Sequence, residues 1–221
     1  MNNSLKTTAW TVMLISSLMI GLYALSFFLI DAINPDFKVK FAGSPFSAWG
    51  HIIGGGLCLS IGALQFHQGL RQKFPAFHRL IGKVYLICVL VGGIAGFLMA
   101  FGANGGPVAK FGFGMLAIVW LYSGAMAYAS IRRRDIKQHQ EWMIRNFSLT
   151  FGAVMLRIHL PLLQGGLGLS FEEAYPVVAW LAWVPNLIFA EWLLIIPAKN
   201  KPIGALSKER EINRKTLQQT R

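Results

Sequence analysis

Apolar residues come in six long blocks along this chain, separated by short polar or basic stretches. Residues 9–30 (AWTVMLISSLMIGLYALSFFLI) carry no charge, and a run of about 20 apolar residues is the length that crosses a hydrocarbon core as a helix. The run is longer than a signal-peptide core and lacks a clear small-residue cleavage site, so it reads as a retained helix. Turn signals follow at Asn34-Pro35-Asp36 and Gly43-Ser44-Pro45. Further apolar blocks cover about 46–68, 80–102, 111–131, 143–164 and 174–197. They are separated by the basic segment 69–79, the turn Asn104–Pro107, the run Arg132-Arg133-Arg134 and the glycine-rich 165–168. The pattern predicts an all-α fold, a polytopic membrane bundle of six transmembrane helices. Residues 1–198 form one membrane domain and 199–221 a basic, charge-rich tail. No internal repeat breaks the series.

Composition agrees with a bilayer. Of 221 residues 54% are hydrophobic and 14% charged, against about 25% charged in soluble domains. Lys and Arg outnumber Asp and Glu 21 to 9, an excess that in a soluble protein would suggest nucleic acid. Its placement argues otherwise. With the polar segments assigned alternately to the two sides, 17 Lys and Arg fall on the side of Lys6, 69–83, 132–145 and the tail, and 3 on the other (Lys38, Lys40, Lys110). Positive residues stay in the cytoplasm during insertion. Both termini are therefore expected in the cytoplasm, with the basic segments serving orientation and anionic lipid and no nucleic acid as partner. Cys58 and Cys88 each lie in an apolar run with no CxxC neighbour and read as small buried residues.

Two helix faces stand out. On the second helix His51, Gly55, Cys58, Gly62, Gln65 and Gly69 recur in steps of four and three, which keeps them on one face. The third carries His78, Gly82, Tyr85, Val89, Gly92 and Gly96 in the same way. Small residues let helices approach closely. They also leave room for a flat cofactor whose iron a histidine could ligate. His67 reads as an interfacial residue. Asn146, Thr150, Ala153, Arg157 and Gln164 share a face of the fifth helix. Arg157 lies twelve residues, roughly 18 Å of helix rise, beyond Arg145, too far to snorkel to the basic side. It reaches the far interface or faces a protein interior, water or an anion. His159 precedes Pro161 by two residues, and its ring could serve the carbonyl that the proline releases. Trp10, Trp49, Trp142 and Trp192 read as belt residues.

The sequence has no P-loop, GxSxG or HExxH, and no GxGxxG in a strand–helix context. Five histidines are its main chemical resource: His51 and His159 toward the outside, His67, His78 and His139 toward the inside. Neutral imidazole is a common haem and metal ligand, and two levels of histidine suit electrons crossing between b-type haems. The leading expectation is an electron-transfer protein that binds haem b, exchanging electrons with quinol or with a soluble redox partner. Its cofactor residues are His51, His78, His139, His159, Arg79, Tyr85, Arg145 and Arg157, with His51, His78 and His139 as metal ligands. The alternative is a small-ligand or anion binding or transport protein, built as a homo-oligomer, in which Arg157 and the Asn146–Thr150–Gln164 face line a polar cavity.

His51, QFHQGLR (65–71), HRLIGKVY (78–85), HQEWMIRNF (139–147) and Arg157 together resemble bacterial membrane proteins catalogued as domain-of-unknown-function family 2306, over roughly residues 45–165. The resemblance implies a bacterial cytoplasmic membrane protein. It also implies shared positions at His51, His78, Arg79, Tyr85, His139, Trp142, Arg145 and Arg157, with His67 and His159 as local departures, which weakens any haem site that requires His159. It carries no activity. More distantly the layout resembles small b-type cytochromes built on a four-helix membrane core, a likeness of architecture alone.

Overall fold

A computed structural model describes residues 3–27 and 45–199. The turn signals before Pro45, with Lys38 and Lys40, and the basic tail beyond Lys199 lie outside these residues. The described chain is helical, with six segments long and apolar enough to cross a membrane: Thr7–Ser26, Phe46–Gln65, Pro75–Ala100, Gly106–Arg132, Ile136–Gly166 and Phe171–Ile195. They are built from α1 (Asn3–Ser26), α2 (Pro45–Gln65), the short α3 (Gln68–Lys73), α4 (Pro75–Ala100), α5 (Gly106–Arg132), α6 (Ile136–Thr150), α7 (Gly152–Pro161) and α8 (Phe171–Leu181). A π-helical turn, Leu162–Gly166, extends α7 beyond Pro161.

Helix starts follow local chemistry. Pro75 in the first turn of α4 needs no intrahelical donor there, so the helix begins before Phe77, His78 and Arg79 rather than after them. The apolar count placed this start at residue 80 because hydrophobicity does not register a proline cap. Likewise Asp135 caps α6 by accepting from the Gln138 N–H at 2.9 Å, which brings His139 and Trp142 inside the helix, ahead of the predicted start at 143. Arg134 turns the chain there with φ 62°. Ser170 and Glu173 form a reciprocal capping box at the start of α8.

Two compact units divide the chain, Met1–Leu187 and Ile188–Arg221. The described part of the second contains a π-helical stretch, Ala190–Ile195, followed by a helical turn, Ile196–Lys199. In the first unit α2 and α4 pack most intimately. A Cβ on Gly54 would lie 2.8 Å from the Cys88 carbonyl oxygen and from the Gly92 Cα, so the two backbones touch. Gly56 of α2 faces Gly21 and Leu25 of α1; Gly124 of α5 faces Val89 of α4; Gly112 of α5 faces Ala179 of α8. Small residues thus mark the helix contacts, as expected where lipid tails compete with any apolar surface. The outward face of α4 shows Leu80, Ile87, Leu90, Ile94 and Leu98 to the surroundings, a lipid-facing row.

Candidate binding site at the basic end

The two small-residue stripes expected on α2 and α4 face each other. Gln65 lies over Gly82, its Oε1 3.8 Å from where a Cβ would stand. Gly62 lies against Tyr85, Gly54 against Gly92, and Gly96 against the His51 ring. Cys58 points its thiol at the Tyr85 carbonyl, 3.5 Å away, and both cysteines are buried and free. Most of the room that glycine leaves on α2 is therefore taken by the partner helix. Phe147 of α6 also fills the space at Gly62. Gly55 is different: nothing stands within 4 Å of its missing Cβ.

Above the Gln65 level, polar residues close a network. The Tyr85 hydroxyl donates to Asn146 Oδ1 at 2.7 Å and meets Thr150 Oγ1 at 2.9 Å. Trp120 Nε1 donates to Thr150 Oγ1 at 2.8 Å. The Asn146 amide donates to the Trp120 carbonyl and to Ser123 Oγ, both at 2.8 Å. Tyr85 and Asn146 are wholly buried. All donors are used, which is how a buried polar group avoids its desolvation cost. The network ties α4, α5 and α6 together. Asn146 and Thr150 are thus bonded inside the bundle rather than lining a polar cavity, so the expected single face from Asn146 to Arg157 divides into a buried half and an exposed Arg157.

Below the network, toward the basic end, the arrangement is incomplete. Gln65 is 5% exposed, and its Nε2 has no hydrogen-bond partner. His78, one turn before Gly82 on the same face of α4, has a buried Nδ1 that is also without a partner. Arg71 of α3 and His139 of α6 lie within electrostatic range of the His78 ring. Burial draws the Arg71 guanidinium below its ordinary range. His139 donates from Nδ1 to the Ala127 carbonyl at 2.9 Å, which commits Nδ1 and leaves Nε2 for another partner. Phe66 and Phe147, with centroids 5.3 Å apart, flank the level of Gln65. Two buried polar atoms without partners on facing helices, beside the Arg71 guanidinium and aromatic rings, make this the candidate site.

The other sequence-predicted residues fall elsewhere. Arg79 is exposed on α4. Arg145 stacks over Trp142, 4.5 Å from the ring centroid. His67 is no helix-face residue, because α2 ends at Gln65; its Nδ1 accepts from the Leu70 N–H as the cap of α3, and its ring packs on Trp10. His51 lies toward the far end, its Nδ1 donating to the Gly92 carbonyl at 3.0 Å, within electrostatic range of Arg157. His159 has a buried Nδ1 without a partner, so that atom does not serve the carbonyl released by Pro161. Among the described residues no group of three or more His, Cys, Asp or Glu side chains could hold a metal ion. Gln65 shares the α2 face of His51, Gly55, Cys58 and Gly62, and its signal in the sequence is a lone amide ending a stripe of small residues.

The sequence model of a family described as a predicted membrane protein, DUF2306, matches residues 48–195. The chain belongs to that family. No curated protein and no solved structure matches. The DUF2306 match runs from the second to the last membrane-spanning segment and so contains Gln65, His78, His139 and the whole Tyr85 network. The chain is an integral membrane protein with several spans.

Proposed function

We propose that this protein binds the headgroup of a quinone at its basic end and exchanges electrons with the quinone pool of a bacterial cytoplasmic membrane. One observation carries the reading: Gln65 Nε2 and His78 Nδ1 are buried and unpartnered on facing helices, His78 one turn before the Gly82 that Gln65 overlies. Orphaned polar groups in a dry interior call for an explanation, and an absent ligand is one. The amide nitrogen can only donate, so its partner is an acceptor such as a carbonyl oxygen. Arg71 favours a ligand that gains negative charge, as a quinone does on reduction. Phe66 and Phe147 suit a flat apolar ring. His78 is placed to carry the protons that reduction consumes.

With 17 Lys and Arg on this side, the basic end and both termini face the cytoplasm, and the quinone enters from the inner leaflet. A b-type haem would supply the one-electron chemistry. His139 favours it as a second element of the reading: it donates Nδ1–H to the Ala127 carbonyl, the arrangement that orients a ligating Nε2.

Titration of the full chain in nanodiscs with a short-tailed quinone tests the proposal. Gln65→Leu and His78→Leu are expected to raise Kd by about tenfold each, the effect of losing one good hydrogen bond in a buried site. Unchanged Kd in both variants, at unchanged helicity, overturns it. The haem element rests on a separate readout: a Soret band in protein expressed with haem available, lost in His139→Leu. A colourless wild-type protein under those conditions excludes haem without touching the quinone site.

A further inference from the structure

Opposite the basic end, a second set of residues converges from three helices. Arg157 of α7 donates to its own Ala153 carbonyl at 2.8 Å and lies over the Tyr23 ring of α1, 5.7 Å from the centroid. Among the described residues no carboxylate pairs with it. A guanidinium has five N–H donors, so most of this fork is open, and it is exposed. His51 of α2 lies within electrostatic range of it. The His51 ring is fixed against Gly96, whose Cβ would fall 2.6 Å from Nδ1. With Nδ1 committed to the Gly92 carbonyl, Nε2 of the neutral ring is an acceptor. One turn deeper on the same face of α2, Gly55 meets open space.

We infer that His51, Arg157 and the Gly55 opening form a binding site for a phosphate that carries a neighbouring hydroxyl. The chemistry divides between the two polar side chains. An open guanidinium takes an oxyanion by charge-assisted hydrogen bonds. A neutral imidazole nitrogen takes a donor, and a bare oxyanion has none to give. A glycerol phosphate headgroup offers both groups a few bonds apart. The Tyr23 face holds the guanidinium from behind. Gly55 lies one turn from His51 toward the middle of the span, the direction an acyl chain takes from its headgroup. A hydroxylated anionic phospholipid therefore fits the whole feature, and soluble glycerol phosphate fits its polar part. The site is independent of the one at the basic end.

Native mass spectrometry of the delipidated full chain tests this with three probes: phosphatidylglycerol, phosphatidylcholine and glycerol 3-phosphate. Phosphatidylglycerol is expected to bind more tightly than phosphatidylcholine, which lacks the hydroxyl and carries a balancing cation. Arg157→Gln should weaken phosphatidylglycerol by about tenfold or more, as loss of a charge-assisted contact does, while Arg157→Lys retains part of it. Gly55→Leu, which fills the opening, should weaken the lipid and leave glycerol 3-phosphate unchanged. Glycerol 3-phosphate binding as well as the lipid, with no effect of Gly55→Leu on either, would assign the site to a soluble ligand and overturn the lipid. Equal affinity for the two lipids in the wild type overturns the site, and that comparison needs no variant to fold.

Discussion

Asn146 spends both amide hydrogens and its carbonyl oxygen on partners from α4 and α5, so the network around it has no spare capacity. Tyr85→Phe removes the donor that Asn146 Oδ1 accepts from and leaves that oxygen buried. The expected cost is about 1–3 kcal/mol of stability, read as a lower unfolding temperature in detergent, with the quinone affinity little changed because the hydroxyl belongs to the network and not to the site. Gln65 presents the opposite case. Its Nε2 has no partner, so Gln65→Leu removes a desolvated donor without breaking a bond. The variant is expected to be as stable as the wild type or more so by about 1 kcal/mol, while binding quinone more weakly. A marked loss of stability would mean that the amide is structural and not poised for a ligand.

Two neighbouring glycines separate packing from vacancy at the level of the helix pair. Gly54 holds α2 against α4 at backbone contact, whereas Gly55 faces nothing within 4 Å. A methyl group on Gly54 has to displace main-chain atoms, and rigid backbones do not yield as side-chain ends do. Gly54→Ala is expected to lower the yield of monodisperse protein and its unfolding temperature, and Gly55→Ala to leave both within error. Helix propensity raises each variant equally relative to glycine, so the difference between them isolates the contact. Equal behaviour would show that α2 and α4 can separate at little cost.

Orientation belongs to the whole chain, since it follows from the charge difference summed over all the connecting segments. In a background with Cys58 and Cys88 replaced by Ala, a cysteine at Arg134 is expected to react with a membrane-impermeant maleimide only after the cells are opened. A cysteine at Gly106 is expected to react in intact cells. Reversed labelling would put the basic end, and the candidate quinone site with it, on the outer side. The spans themselves were legible because bilayer thickness imposes a length that composition reveals. Their starts were less so: Pro75 and Asp135 extend α4 and α6 through polar residues that a hydropathy count leaves outside.

Periodicity in the sequence already brought His51, Gly62 and Gln65 to one face of α2, and His78, Tyr85 and Gly96 to one face of α4. Spacing along a helix fixes the face but not what lies across from it. Only the tertiary structure decided that these faces meet each other, because register between helices depends on how closely Gly54 and Gly92 let two backbones approach. The same closeness fills the space expected for a flat cofactor along most of the stripe and spares it at Gly55. It also determines which polar residues are satisfied. Tyr85 and Asn146, sixty-one positions apart, find each other. Gln65 and His78, thirteen positions apart, each keep a buried nitrogen without a partner. Sequence chemistry names the groups that need hydrogen bonds; packing alone determines which of them go without.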